Sequence, residues 1–124
     1  MSEYGVVIVS HSKHIAQGVY DLVQEVAKDV AVTYVGGTED GGIGTSFDGA
    51  LEAIDSNAKD KLLAFFDLGS ARLNLELALE MSDKEVTVYS VPLVEGAYTA
   101  AALLQVDSPI EAIVEQLDAL TINK

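Results

Sequence analysis

Gly5-Val6-Val7-Ile8-Val9-Ser10-His11-Ser12 runs from an unbroken, mostly β-branched stretch straight into three polar side chains. A strand with one wet face would alternate apolar and polar residues. This one does not, so it reads as a strand buried on both faces, as in a parallel sheet. Beyond it the period changes. Ile15, Val19, Leu22, Val23 and Val26 fall on one side of a helix with about 3.6 residues per turn.

The same alternation recurs along the chain. Val30-Ala31-Val32-Thr33-Tyr34-Val35 reads as a second strand, stopped by Gly36-Gly37. Phe47, Ala50, Leu51 and Ile54 give the next helical stripe, with Thr45 or Ser46 as N-cap. Leu62-Leu63-Ala64-Phe65-Phe66 is the third strand, and Val86-Thr87-Val88-Tyr89-Ser90-Val91, halted by Pro92, is the fourth. Ser108-Pro109-Ile110-Glu111 spells a capping box with proline at the first helical position, ahead of a final helix buried through Ile110, Ile113, Val114 and Leu117.

Between Ala71 and Met81 two periods compete. Leu73, Leu75, Leu77 and Leu79 alternate with Asn74, Glu76, Ala78 and Glu80, as a strand would. The composition argues for helix, because Leu, Ala and Glu favour it and no β-branched residue interrupts. Such a helix carries two apolar stripes, one for the sheet and one for a partner. The order β-α-β-α-β-α-β-α-α predicts a single-domain α/β fold over residues 1–124. Its open, mostly parallel β-sheet would be covered by helices on both faces.

At 124 residues, 49% hydrophobic and 22% charged, the chain is expected to fold without a metal or disulfide staple. It has no cysteine, which excludes disulfides, thiolate nucleophiles and zinc–thiolate or iron–sulfur sites. Met1-Ser2-Glu3-Tyr4 shows no leader pattern, and no apolar run approaches the ~20 residues that span a bilayer. A cytoplasmic protein is expected. The net charge of −13, from 20 acidic against 7 basic residues, repels nucleic acid and anionic membranes. It either steers a basic protein partner or serves solubility.

In such a sheet the chemistry gathers at the carboxyl ends of the strands. Ser10-His11-Ser12, the glycine-rich segment 36–46, Asp67-Leu68-Gly69-Ser70 and Pro92-Leu93-Val94-Glu95-Gly96 are expected there. His11 directly follows a strand and precedes a helix. Its imidazole can act as a nucleophile toward phosphorus, with nearby hydroxyls and helix N-termini stabilising the transferring oxygens. A surface histidine without a role would have the same spacing. His14, one turn on, pairs with no third ligand, so a metal is not expected. Lys13 is either an aid to phosphate attraction or simply solvated. Asp67 either holds the His11 ring by accepting its other N–H or caps a helix in competition with Ser70. Segment 36–46 lacks the Gly-Lys-Ser/Thr of a nucleotide loop and is a lid or a plain loop.

Val7-Ile8-Val9-Ser10-His11-Ser12 with Gly18 resembles the N-terminal motif of mannose-type enzyme IIA domains of the phosphoenolpyruvate-dependent phosphotransferase system. Gly44-Thr45-Ser46, Asp67-Leu68-Gly69-Ser70-Ala71 with Asn74, and Pro92-Leu93-Val94-Glu95-Gly96-Ala97 are more similar to the dihydroxyacetone kinase branch of that family. Sugar-transporting relatives more usually have Gly after the histidine and a Gly-Gly-Ser-Pro type turn after the aspartate.

The resemblance implies a phosphotransferase component working through a phosphohistidine at His11, supported by Asp67, Ser12, Thr45, Gly69 and Ser70. It implies that HPr supplies the phosphoryl group and that ADP on a separate nucleotide-binding subunit receives it. The resulting ATP then phosphorylates dihydroxyacetone on a third subunit, in glycerol metabolism. The chain itself would bind no cofactor and would be a homodimer.

The nearest alternative is a IIA component serving a sugar permease, with the same chemistry at His11. A response-regulator-like module shares the architecture and an aspartate after the third strand. It needs an acidic pair where Ser10-His11-Ser12 stands, and a lysine after the fourth strand that is absent here.

Overall fold

The chain alternates strand and helix as β1 (Tyr4–Ser10), α1 (Lys13–Val26), β2 (Val32–Gly36), α2 (Phe47–Asp55), β3 (Lys61–Phe66), α3 (Ala71–Met81), β4 (Glu85–Tyr89), α4 (Leu93–Gln105) and α5 (Ile110–Ala119). This order is the expected one. The structure, a computed structural model, describes residues 3–124. The leader-free reading of Met1 and Ser2 therefore falls outside the described residues.

The four strands are all parallel, in the order β2-β1-β3-β4. β1 pairs with β2 from Val6↔Val32 to Ser10↔Gly36, and with β3 from Tyr4↔Lys61 to Val9↔Phe66. Its central place explains its unbroken apolar run. Val6 and Ile8 face a core shared with α1, α4 and α5, whereas Val7 and Val9 face one shared with α2 and α3. Each such side chain contributes roughly 1.5–3 kcal/mol on burial, so a polar residue at any of them would cost stability on one face or the other. Strand order reverses between β1 and β3, which opens a crevice at their carboxyl ends.

Several boundaries differ from expectation. β2 starts at Val32 and runs on to Gly36, although the Ala31 carbonyl still accepts the Val6 N–H at 2.9 Å. β4 ends at Tyr89 because the next carbonyl, that of Ser90, is taken by Ile122 N–H from the end of the chain. Leu93–Gly96 is not loop but the first turn of α4, with Pro92 as its cap residue. Ser108 does not cap α5. It is drawn instead into the end of α4, where Asp107 (φ 56) turns left-handed and Ser108 N–H returns to the Leu103 carbonyl, a Schellman closure.

α3 is a helix, and it sits on the sheet through Ala71, Leu75 and Ala78, leaving Leu73, Leu77 and Met81 exposed. α1 is rotated from the expected stripe. Ala16, Val19 and Val23 are buried, and Ile15 and Leu22 are about half exposed. Of the two candidate caps for α2, Ser46 is used, its hydroxyl accepting Gly49 N–H at 2.9 Å. No helix among the described residues is long and apolar enough to cross a membrane.

Candidate active site

Because Val9 of β1 lies opposite Phe66 of β3, the residues that follow leave the sheet side by side at the point where strand order reverses. Ser10 and His11 come from one strand and Asp67 from the other. One Asp67 oxygen accepts the Ser10 hydroxyl at 2.7 Å and the His11 backbone N–H at 2.9 Å. The other accepts its own neighbour's N–H, that of Leu68, at 2.7 Å and stands 2.9 Å from Nδ1 of the His11 ring.

Burial works against a charged Asp67. The His11 backbone N–H, the Ser10 hydroxyl, the His11 ring and the Leu68 N–H outweigh it and hold the carboxyl below its ordinary pKa. An ionised carboxylate only accepts hydrogen bonds, so Nδ1 carries a ring proton, and in the neutral ring Nε2 has the lone pair. Ser70 Oγ lies 2.6 Å from Nε2 and donates to it. Ser70 makes no capping bond to α3, because its hydroxyl is spent on the ring. The His11 side chain keeps 16% of its surface exposed, so the ring sits at the rim of the sheet and not in the core.

Ser12 caps α1, accepting Ile15 N–H at 3.4 Å, and so fixes the turn that carries His11. Gly36 lets that turn settle against β2. A Cβ there would run into the Ser12 carbonyl and come within 2.7 Å of the Lys13 Cα. The glycine-rich segment is tied down: Gly44 N–H donates to the His11 carbonyl at 2.8 Å, and Thr45 Oγ1 accepts from Asn74 Nδ2 at 2.8 Å. Thr45 thus links this loop to α3. Gly69 faces the backbone of Lys124. Lys13 and His14 are exposed on the first turn of α1. No group of three His, Cys, Asp or Glu among the described residues is placed to hold a metal ion.

Ser10, expected at the strand end, has a role there that the sequence reading did not assign. It is 1% exposed, donating to Asp67 and accepting Ser12 N–H at 3.1 Å. Its position was the available signal, since a hydroxyl at the last residue of a doubly buried strand must find a partner. Lys124 was also missed, and nothing in its local sequence points to the site.

The arrangement fixes one ring nitrogen as a proton-bearing anchor and leaves the other able to act as a nucleophile. The Ser70 hydroxyl and the N-terminal ends of α1 and α3 lie beside it, and a helix N-terminus favours an anionic group. That set of donors fits transfer of a phosphoryl group, where charge on the equatorial oxygens must be stabilised.

The chain resembles known proteins in both sequence and fold. Residues 5–114 match the EIIA-man family model, described as the PTS system fructose IIA component. The chain is 58% identical over 121 residues to the PTS-dependent dihydroxyacetone kinase phosphotransferase subunit DhaM of Lactococcus lactis, with 98% of each chain covered. It is 52% identical over 120 residues to the PEP-dependent dihydroxyacetone kinase 1 phosphoryl donor subunit DhaM of Listeria innocua, with 97% of each covered. The fold superimposes on the crystal structure of EF1359, a protein of unknown function, with a TM-score of 0.84, 28% identity and 98% of both chains covered.

Proposed function

The chain belongs to the EIIA-man family of phosphotransferase components, and from that premise we propose that it carries a phosphoryl group on Nε2 of His11. The carrying observation is the 2.9 Å contact between Asp67 and Nδ1, which leaves Nε2 as the basic nitrogen. In the transfer Nε2 forms a bond to phosphorus as the donor's bond to phosphorus breaks. Nδ1 keeps its proton throughout, and the positive charge gained by the ring is held against Asp67. Ser70 turns its hydroxyl from Nε2 to a phosphoryl oxygen. The reverse sequence releases the group to the acceptor.

The similarity to DhaM subunits across nearly the whole chain supports a place as the phosphoryl donor subunit of a dihydroxyacetone kinase. In this reading HPr loads His11 in the cytoplasm and ADP on the kinase's nucleotide-binding subunit unloads it, while this chain binds no cofactor of its own. We further propose a homodimer, supported by the exposed Leu73, Leu77 and Met81 stripe of α3. Light scattering giving the mass of one chain would count against it.

The test is incubation with phosphoenolpyruvate, enzyme I and HPr, followed by mass mapping. His11 should carry an acid-labile, alkali-stable phosphate, and a chase with ADP and the kinase subunit should remove it. A sugar permease IIB domain should not. Undiminished labelling of a folded His11→Ala variant would discard the proposal.

A further inference from the structure

The described chain closes beside the site. After α5, Ile122 N–H donates to the Ser90 carbonyl at 2.9 Å, and Lys124 then crosses the carboxyl end of β3. Its ammonium donates to the Phe66 carbonyl at 2.5 Å and stands 4.2 Å from the centroid of the Phe66 ring. Its backbone packs on Gly69, where a Cβ would come within 3.2 Å of the Lys124 carbonyl carbon. Lys124 therefore touches the loop on both sides of Asp67-Leu68. From that loop Asp67 and Ser70 hold the two nitrogens of the His11 ring.

A half-buried ammonium is costly to keep charged. Burial pushes the Lys124 pKa down, and the attraction of Asp67 pulls it back up. Its hydrogen-bond partner is the neutral Phe66 carbonyl, and its charge is felt at Asp67. That matters during transfer. A phosphoryl group on Nε2 brings close to two negative charges near the Asp67 carboxylate, in a partly desolvated crevice where such charges interact strongly.

We propose that Lys124 is a positioning residue for phosphoryl transfer at His11. Its ammonium, lodged on the Phe66 carbonyl, braces the loop that orients the ring and offsets the charge that Asp67 and the phosphoryl group bring together. This rests on the reading of His11 as the phosphoryl acceptor.

The test compares the wild-type chain with Lys124→Met, which keeps the aliphatic stem on Phe66 without the charge, and Lys124→Arg, which keeps the charge. Each is labelled both by the small donor phosphoramidate and through phosphoenolpyruvate, enzyme I and HPr. Lys124→Met should stay folded yet accept phosphate from phosphoramidate about tenfold more slowly, less than the loss of a donor that touches the transferring group itself. Lys124→Arg should recover most of that rate. Added salt should narrow the gap between wild type and Lys124→Met.

Equal rates for wild type and Lys124→Met would overturn the proposal, and so would an arginine variant as slow as the methionine one. A wild-type chain labelled on His11 by phosphoramidate but never by HPr would sink the carrier relay alone, with Lys124 still judged by its own comparison. No label on His11 from either donor overturns both.

Discussion

Asp67 grips His11 twice: one carboxylate oxygen stands 2.9 Å from Nδ1 of the ring, and the other accepts the backbone N–H of the same residue, also at 2.9 Å. The backbone bond fixes where the ring is hung and the side-chain bond fixes how it is turned. Together they decide which nitrogen is basic. A carboxylate just past β3 thereby sets the orientation of an imidazole just past β1, across the strand pairing that ends at Val9 and Phe66.

Asp67→Asn is expected to lower the rate of phosphoryl acceptance by at least roughly 10- to 100-fold, the range seen when a carboxylate that orients a metal-bound histidine is removed. The amide can present its NH₂ to Nδ1 and leave the proton on Nε2, the wrong tautomer for attack. Rapid-quench labelling measures the rate, and ¹⁵N shifts of the ring read the tautomer. An unchanged rate would show that the ring needs no such partner.

The same carboxylate gives stability a pH dependence. Its folded pKa lies below the ordinary value of 3.8, so the unfolded chain binds the proton more readily than the folded one. The contribution is therefore complete well above 3.8 and is lost as pH falls below it through the folded pKa. Asp67→Asn lacks this dependence. The difference in urea midpoint between wild type and Asp67→Asn should shrink between pH 4 and pH 2. A difference that stayed constant to pH 2 would refute the depressed pKa.

Two glycines should respond in opposite senses to alanine. Gly36→Ala forces a methyl into the Ser12–Lys13 backbone. It should cost about 1–3 kcal/mol in denaturant unfolding, as overpacking does, and slow labelling by displacing the His11 turn. Gly18, inside α1, has nothing within 4 Å of its missing Cβ. Gly18→Ala should stabilise by about 0.5–1 kcal/mol through helix propensity alone. A neutral Gly36→Ala would mean that this turn yields easily.

How far the molecule was legible depended on whether a residue's partners were local. The run Gly5–Val9 announced a central parallel strand because burial on both faces leaves no room for alternation. Leu73 to Leu79 showed a false period of two. The helix buries Ala71, Leu75 and Ala78 and simply leaves Leu73 and Leu77 outside, so composition was the better guide. His11, Asp67 and Ser70 could be found because strand ends collect functional groups. Ser108 misled because a longer-range demand, closing α4, outbid its capping of α5. Lys124 was invisible, since only the folded chain brings it to Phe66.

Ser70 poses a question that magnitudes can settle. Its hydroxyl, 2.6 Å from Nε2, ties up the lone pair that attacks in the proposed transfer, so removing it would free that nitrogen. The same hydroxyl can then donate to a phosphoryl oxygen, and removing it forfeits that bond. A neutral hydrogen bond is worth about 0.5–1.5 kcal/mol net, and one to a charged oxygen about 1.5–3 kcal/mol. The loss outweighs the gain by roughly 1–2 kcal/mol, so Ser70→Ala should slow single-turnover labelling by about 5- to 30-fold without abolishing it. Half-saturation for the carrier should be unchanged, because the hydroxyl acts on the transferring group. A Ser70→Ala chain that labels faster than wild type would mean that the hydroxyl only masks the ring and takes no part in the transfer.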